Sequence, residues 1–292
     1  MIETTGKLGL GWLPDYPDFR DYTVEEESVK TMLAPTGTVK AKAVAIPLSA
    51  DLRPWFPPIE NQGSLGSCTA NAGVAMVEYF ERKAFGKHLD ASRLFLYKVT
   101  RNMLHWTGDT GAFLRSTMGA MVLFGLPPEE YWPYIYSDYD KEPTAFCYAF
   151  AQNYQAISYY RLDPPGTTKT TLLSQIKTNL AGYLPSMFGF TVYNSISQAS
   201  ASGKIPYPTV GEKIAGGHAI VAVGYDDNMK IKNTNAGAVE TKGALLIRNS
   251  WGTGWGSAGY GWLPYEYVLK GLAVDWWSLI KQEWIDTGAF KA

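Results

Sequence analysis

The chain has 292 residues, a formal net charge of −1 and 46% hydrophobic residues. That length suits one large domain or two lobes sharing a cleft, with enough apolar residues for a sizeable core. The near-neutral charge argues against nucleic-acid and membrane-surface partners, since both need a basic excess to meet phosphates.

No apolar run approaches the length of a membrane span. The opening MIETTGKLGLGWLPDYPDFRDY has neither a basic start nor an apolar core, so no secretory leader is read. A cytoplasmic location or leaderless export is expected, and a monomer. Cys68 and Cys147 leave room for one bridge, not for a disulfide framework. His88, His105 and His218 are scattered without metal-ligand spacing, so neither metal nor cofactor is expected.

In chain order, residues 1–45 stand apart. Pro14 and Pro17 sit among Trp12, Tyr16, Phe19 and Tyr22, which predicts an extended strap. These four aromatics are expected to lie on the body of the protein, because leaving them in water costs about 25 cal/mol per Å². Glu25-Glu26-Glu27 reads as a solvated face. Two placements are expected for the strap, across a cleft or across the back of the molecule.

From Ile46 the pattern becomes globular. Pro54, Pro57 and Pro58 form a rigid approach to the loop NQGSLGSC. Cys68 opens the strongest helical signal, with Ala72, Ala75, Met76, Tyr79 and Phe80 on one face and Gly86 as its stop. A second helix is predicted over 113–123. A Pro-Pro-Gly turn then leads to a short helix carrying Leu172, Leu173, Ile176 and Leu180. PSMFGFTVY, HAIVAVGYD and GALLIRNSW read as strands. The chain is therefore α+β, divided as a strap over 1–45, a helical lobe over 46–155 and a β-rich lobe over 156–292.

A lone cysteine in a helix is ordinarily core filler. Cys68 differs because it lies at a helix start, where free N–H groups and the macrodipole favour a thiolate. The glycine-rich loop before it keeps the sulfur accessible, and the Gln62 amide could donate to an oxyanion. His218 heads a strand after Gly216 and Gly217, which leave its surroundings open. Asn249 stands past another strand, with Trp251 placed to shield a polar contact. A nucleophile needs a base, and the base needs an orienting partner. Cys68, His218 and Asn249 supply these types in that order.

Together NQGSLGSC, GHAIVAVGYD and RNSWGTGWGSAGYGW resemble the nucleophile, histidine and asparagine motifs of the papain-like cysteine peptidases, from about Ile46 to Val268. IPLSADLR is similar to the usual start of their mature domain, and the compact build resembles a bacterial branch. The resemblance implies a two-lobed fold, with a helical lobe, an antiparallel barrel-like lobe and the active site between them. It implies a peptidase acting on extended polypeptide through Cys68, His218, Asn249 and Gln62. Gly111 would pair with the substrate backbone, and Ala112, Phe113 and Met187 or Phe188 would line the pocket for the second residue before the scissile bond. Gly217 and Trp251 would complete the groove. An apolar or aromatic side chain is expected in that pocket.

Two departures stand out. Leu65 replaces a disulfide cysteine of the plant and animal enzymes, and Thr69 replaces the aromatic residue after the nucleophile. Cys147 is expected to be free and buried. The alternatives are an acyl-transfer enzyme with the same triad, such as an isopeptidase or peptide ligase, and a binding protein that has lost catalysis.

Overall fold

The computed structural model describes residues 9–38, 46–154 and 158–290. After the strap comes a short helix, α1 (Glu27–Leu33), which buries Val29 and Leu33 and leaves Glu27, with Glu25 and Glu26 before it, in solvent. Strand β1 (Ser49–Asp51) precedes helix α2 (Cys68–Phe85). Small residues at Ala70, Ala72, Gly73 and Ala75 let neighbours approach α2 closely, and its first three turns are buried. Gly86 ends it in a left-handed conformation at φ +72°.

Helices α3 (Arg93–Met103), α4 (Leu114–Phe124) and α5 (Ala145–Ala151) follow. The helix expected over 113–123 is α4, one residue along. The sequence reading passed over α3, whose residues Arg93 to Arg101 are all buried, Arg93 and Arg101 through ion pairs with Glu129 and Asp140.

The second half supplies β2 (Ser158–Arg161), α6 (Lys169–Ala181), β3 (Ser186–Tyr193), β4 (Ile214–Ile231), β5 (Thr241–Arg248), β6 (Tyr260–Pro264), α7 (Tyr265–Leu269), β7 (Ala273–Ile280) and α8 (Gln282–Asp286). The sheet is antiparallel in the order β2-β7-β3-β4-β5-β6, with β1 paired to β4. The two halves exchange ends, since β1 joins the sheet and α8 stacks Trp284 on Phe80 of α2, ring centroids 5.0 Å apart.

The barrel-like closure expected for this lobe is not found, for β2 and β6 do not pair among the described residues. Coil covers both edges instead. Arg161 of β2 donates its N–H to Tyr22 O at 2.7 Å, and Ile205 donates to Trp262 O of β6 at 2.9 Å. With its edge groups satisfied locally, the sheet has no need to close on itself.

Glu78 is buried in α2, accepting a hydrogen bond from Ala91 N at 3.0 Å. Burial pushes its carboxyl up to about 8. Its contribution to stability is therefore complete below the ordinary carboxyl range and is lost as pH rises through 8. Glu78→Gln should raise the melting temperature at pH 8 by roughly 5 °C, from up to about 3 kcal/mol of avoided ionisation cost. At pH 4 thermal denaturation should show no difference.

Candidate active site

Helix α2 presents Cys68 at its first turn. The backbone N–H groups of Ala219, Gly11, Thr69 and Cys68 itself face the sulfur and favour the thiolate. Ala219 follows His218 in β4, so the sheet and the helix meet here. His218 pairs in register with Phe190 of β3, which also packs against its ring. Its Nε2 lies 2.8 Å from Asn249 Oδ1, just past β5. The same oxygen accepts Ser250 N at 2.8 Å, which fixes the amide's orientation. Trp251 stacks on the imidazole with centroids 4.5 Å apart, and Trp255 closes on its edge.

His218 Nδ1 is buried without a hydrogen-bond partner, so the thiol does not bond it in this arrangement. Burial pushes the Cys68 thiol up to about 11 and the His218 imidazole down to about 4, although the Asn249 contact pulls the latter back up. Burial of both groups in this covered arrangement disfavours the charged form of each. Cys68 is fully buried beneath the strap, so iodoacetamide should alkylate it in the intact protein at least about 100-fold more slowly than in the denatured protein. Equal rates would contradict this reading.

Gln62 is fully buried. Its Nε2 donates to Leu65 O at 2.8 Å and to Gly9 O at 3.1 Å. Ser250 Oγ donates to its Oε1 at 2.5 Å, and its own N–H donates to Ser250 O. Ser250 thus ties the Gln62 loop to the Asn249 loop. The sequence reading missed it, since a serine after an asparagine reads as an ordinary turn.

The strap crosses this site. Gly11 O accepts from Ala112 N at 2.9 Å, Leu13 N donates to Ala112 O at 3.1 Å, and Trp12 N donates to Gly217 O at 3.2 Å. Gly9 O also accepts from Trp251 Nε1 at 3.3 Å. The strap runs parallel to residues 111–113. Glycine is required on both sides of this contact. A Cβ on Gly11 would lie 1.9 Å from Gly66 O, and one on Gly111 would lie 2.2 Å from Gly11 O. Gly111 N is held by Tyr97 Oη at 3.1 Å, and that hydroxyl donates to Asp109 at 2.6 Å.

Beyond the cleft, two arginines hold the strap. Arg115 pairs with Asp15 and Asp21, and it also donates to Tyr16 O at 2.7 Å. Arg161 reaches Asp21 at 3.5 Å. Of the four aromatics expected on the body, only Trp12 is buried, at 6% exposure. Tyr16 is 89% exposed, Phe19 96% and Tyr22 55%. The turn through Asp18, Arg20 and Asp21 explains this. Its polar contacts hold the loop away from the surface, and scattered apolar exposure is common. Residues 1–8 and 39–45 of the strap lie outside the described residues.

The structure brings Cys68, His218, Asn249, Gln62, Gly111, Ala112, Gly217 and Trp251 together around the strap. Phe113 lies beside the groove, against Trp106. Phe188 does not line it. Side chains alternate along β3, so Gly189 faces Trp12 while Phe188 turns away to stack on Trp276 at 3.9 Å. Cys147 is free and buried.

A buried thiol at a helix start, beside a histidine held by an asparagine from a sheet, defines the class as a cysteine peptidase. The model of the papain family cysteine proteases matches residues 46–269. The chain belongs to that family and is a hydrolase acting on polypeptides.

It is similar to xylellain, a cysteine protease from Xylella fastidiosa, with 34% identity, a TM-score of 0.74 and coverage of 94% of this chain and 96% of that one. An uncharacterized peptidase C1-like protein of Acanthamoeba polyphaga mimivirus is 31% identical over 95% of this chain and 88% of its own length. Bromelain from Ananas comosus, 21% identical over 80% of this chain and 99% of its own, shares the fold with a TM-score of 0.59. No described helix is long and apolar enough to cross a membrane.

Proposed function

We propose that the protein hydrolyses extended polypeptides with Cys68 as nucleophile, and that residues 9–13 of the same chain hold it latent. The observation that carries this is the Gly9 carbonyl, bound by the Gln62 amide, on a strap that pairs with Ala112 and Gly217.

When the strap leaves, water can reach Sγ and Nδ1, and proton transfer from Cys68 to His218 becomes favourable. The thiolate attacks the scissile carbonyl carbon. The new oxyanion accepts hydrogen bonds from Gln62 Nε2 and Cys68 N. His218 returns the proton to the departing amine, while Asn249 Oδ1 keeps Nε2–H in place and the ring upright. Water then attacks the thioester, giving its proton to His218, and the acid leaves with the thiol restored.

The strap escapes this chemistry because it offers the sulfur the N–H of Gly11 rather than a carbonyl carbon. Tethering keeps it at an effective concentration of the order of millimolar, so modest contacts hold it.

Gln62→Ala should lower kcat by about 100-fold or more with little change in KM, the scale for one lost oxyanion donor. A loss confined to KM would mean that Gln62 only shapes the cleft. Mass-spectrometric analysis of peptide-library products tests the reaction type. Hydrolysed fragments support it, and ligated products would point to acyl transfer instead.

A further inference from the structure

Trp12 leaves a mould of itself in the cleft. Its ring lies over Gly189 and Gly217, where a Cβ would come within 1.8 Å and 2.8 Å of the indole respectively. No other residue at Gly189 would admit so large a flat side chain. At the far end the indole Nε1 donates to Asp275 Oδ2 at 3.1 Å.

Asp275 is fully buried at the start of β7, in a left-handed conformation at φ +62° that a non-glycine residue seldom adopts. Its other oxygen accepts from Trp277 Nε1 at 2.7 Å and faces Arg161 at 3.3 Å. Its N–H donates to Asp163. The carboxylate is thus fixed by groups that do not belong to the strap, whereas Oδ2 has Trp12 as its hydrogen-bond donor.

We propose that Asp275 is a specificity-determining residue, and that the pocket it floors selects tryptophan as the second residue before the scissile bond. This rests on the peptidase reading of the cleft. A buried carboxylate oxygen left without a donor is costly, so a substrate must replace the bond the strap made. Phenylalanine fills much of the space without donating. Leucine leaves both the volume and the oxygen unsatisfied. A lysine or arginine could meet the charge of Asp275 and its neighbour Asp163, but it would leave the flat space over Gly189 and Gly217 without a ring. A neutral flat donor meets both demands, and indole is the one whose shape the pocket already holds.

The experiment uses the full-length protein and peptides identical except at that position, which carries Trp, 1-naphthylalanine, Phe, Leu or Arg. Strap occupancy lowers kcat/KM for every peptide by the same factor, so the ratios survive it. Tryptophan should exceed naphthylalanine, its near-isostere without the N–H, by at least about 10-fold. Asp275→Leu should bring that ratio close to one. Equal rates for Trp and naphthylalanine, or a preference for Leu or Arg, overturn the proposal in the wild type alone, whether or not the variant folds. If the full-length protein turns over no peptide, the same series is run on Gly11→Val, where the strap is dislodged; no turnover there fails the peptidase reading separately, and the pocket is then judged on the strap. Trp12→1-naphthylalanine in the full chain should speed amide exchange at positions 12 and 13 by about 10-fold, and unchanged exchange overturns the assignment.

Discussion

Cys68→Ala should leave no measurable turnover in a protein that folds normally. The loss expected on removing a nucleophile is roughly a million-fold, because the Gln62 amide and the cleft have no covalent step left to assist. Stability should hardly change. The substitution removes one sulfur from a small-residue helix start, and the groups that donate to that sulfur are backbone N–H groups. Circular dichroism and thermal melting should therefore match the parent while hydrolysis vanishes. A homogeneous preparation of the variant that still cleaves peptide would end the assignment of Cys68 as nucleophile.

Gly11→Val should have the opposite effect and raise kcat/KM on a short peptide by about 100-fold or more. A Cβ at Gly11 cannot coexist with the Gly66 carbonyl 1.9 Å away, and both are backbone positions with little room to yield. Dislodging the strap there also withdraws Trp12. Burial of its indole is worth up to about 4 kcal/mol, which corresponds to roughly 1000-fold in occupancy of the cleft. The ion pairs of Arg115 and Arg161 lie farther along and would still tether the segment, so the whole chain remains intact. A thiol-reactive epoxide should label Cys68 faster in this variant and spare the buried Cys147. The pH–rate profile should become bell-shaped once the imidazolium pair can form. Unchanged activity in a soluble, folded product would mean that the strap is structural and does not restrain the enzyme.

Much of the site was legible because its motifs are local. Glycines around Cys68, His218 and Asn249 announce open backbone, and the helix from Cys68 to Gly86 follows from one amphipathic run and one left-handed stop. The strands β3, β4 and β5 were visible for the same reason, as β-branched and aromatic runs bounded by glycine. Strand β7 gave no such signal, since an element buried on both faces loses its alternation, while helix α3 was passed over although its polar and apolar residues segregate. Phe188 was misplaced by one residue, because alternation tells which residues share a face but not which face meets the groove.

The sequence by itself determined the family, the α+β class and the identity of the candidate nucleophile, base, orienting amide and oxyanion donor. All of these are carried by short motifs whose chemistry depends on residue type. Only the tertiary structure decided where the strap lies, that Trp12 alone of its aromatics is buried, that Ser250 braces Gln62, and that Asp275 waits beneath the pocket. Those facts join residues as far apart as Trp12 and Asp275, and long-range pairings are settled by packing and charge neutralisation that no local pattern encodes.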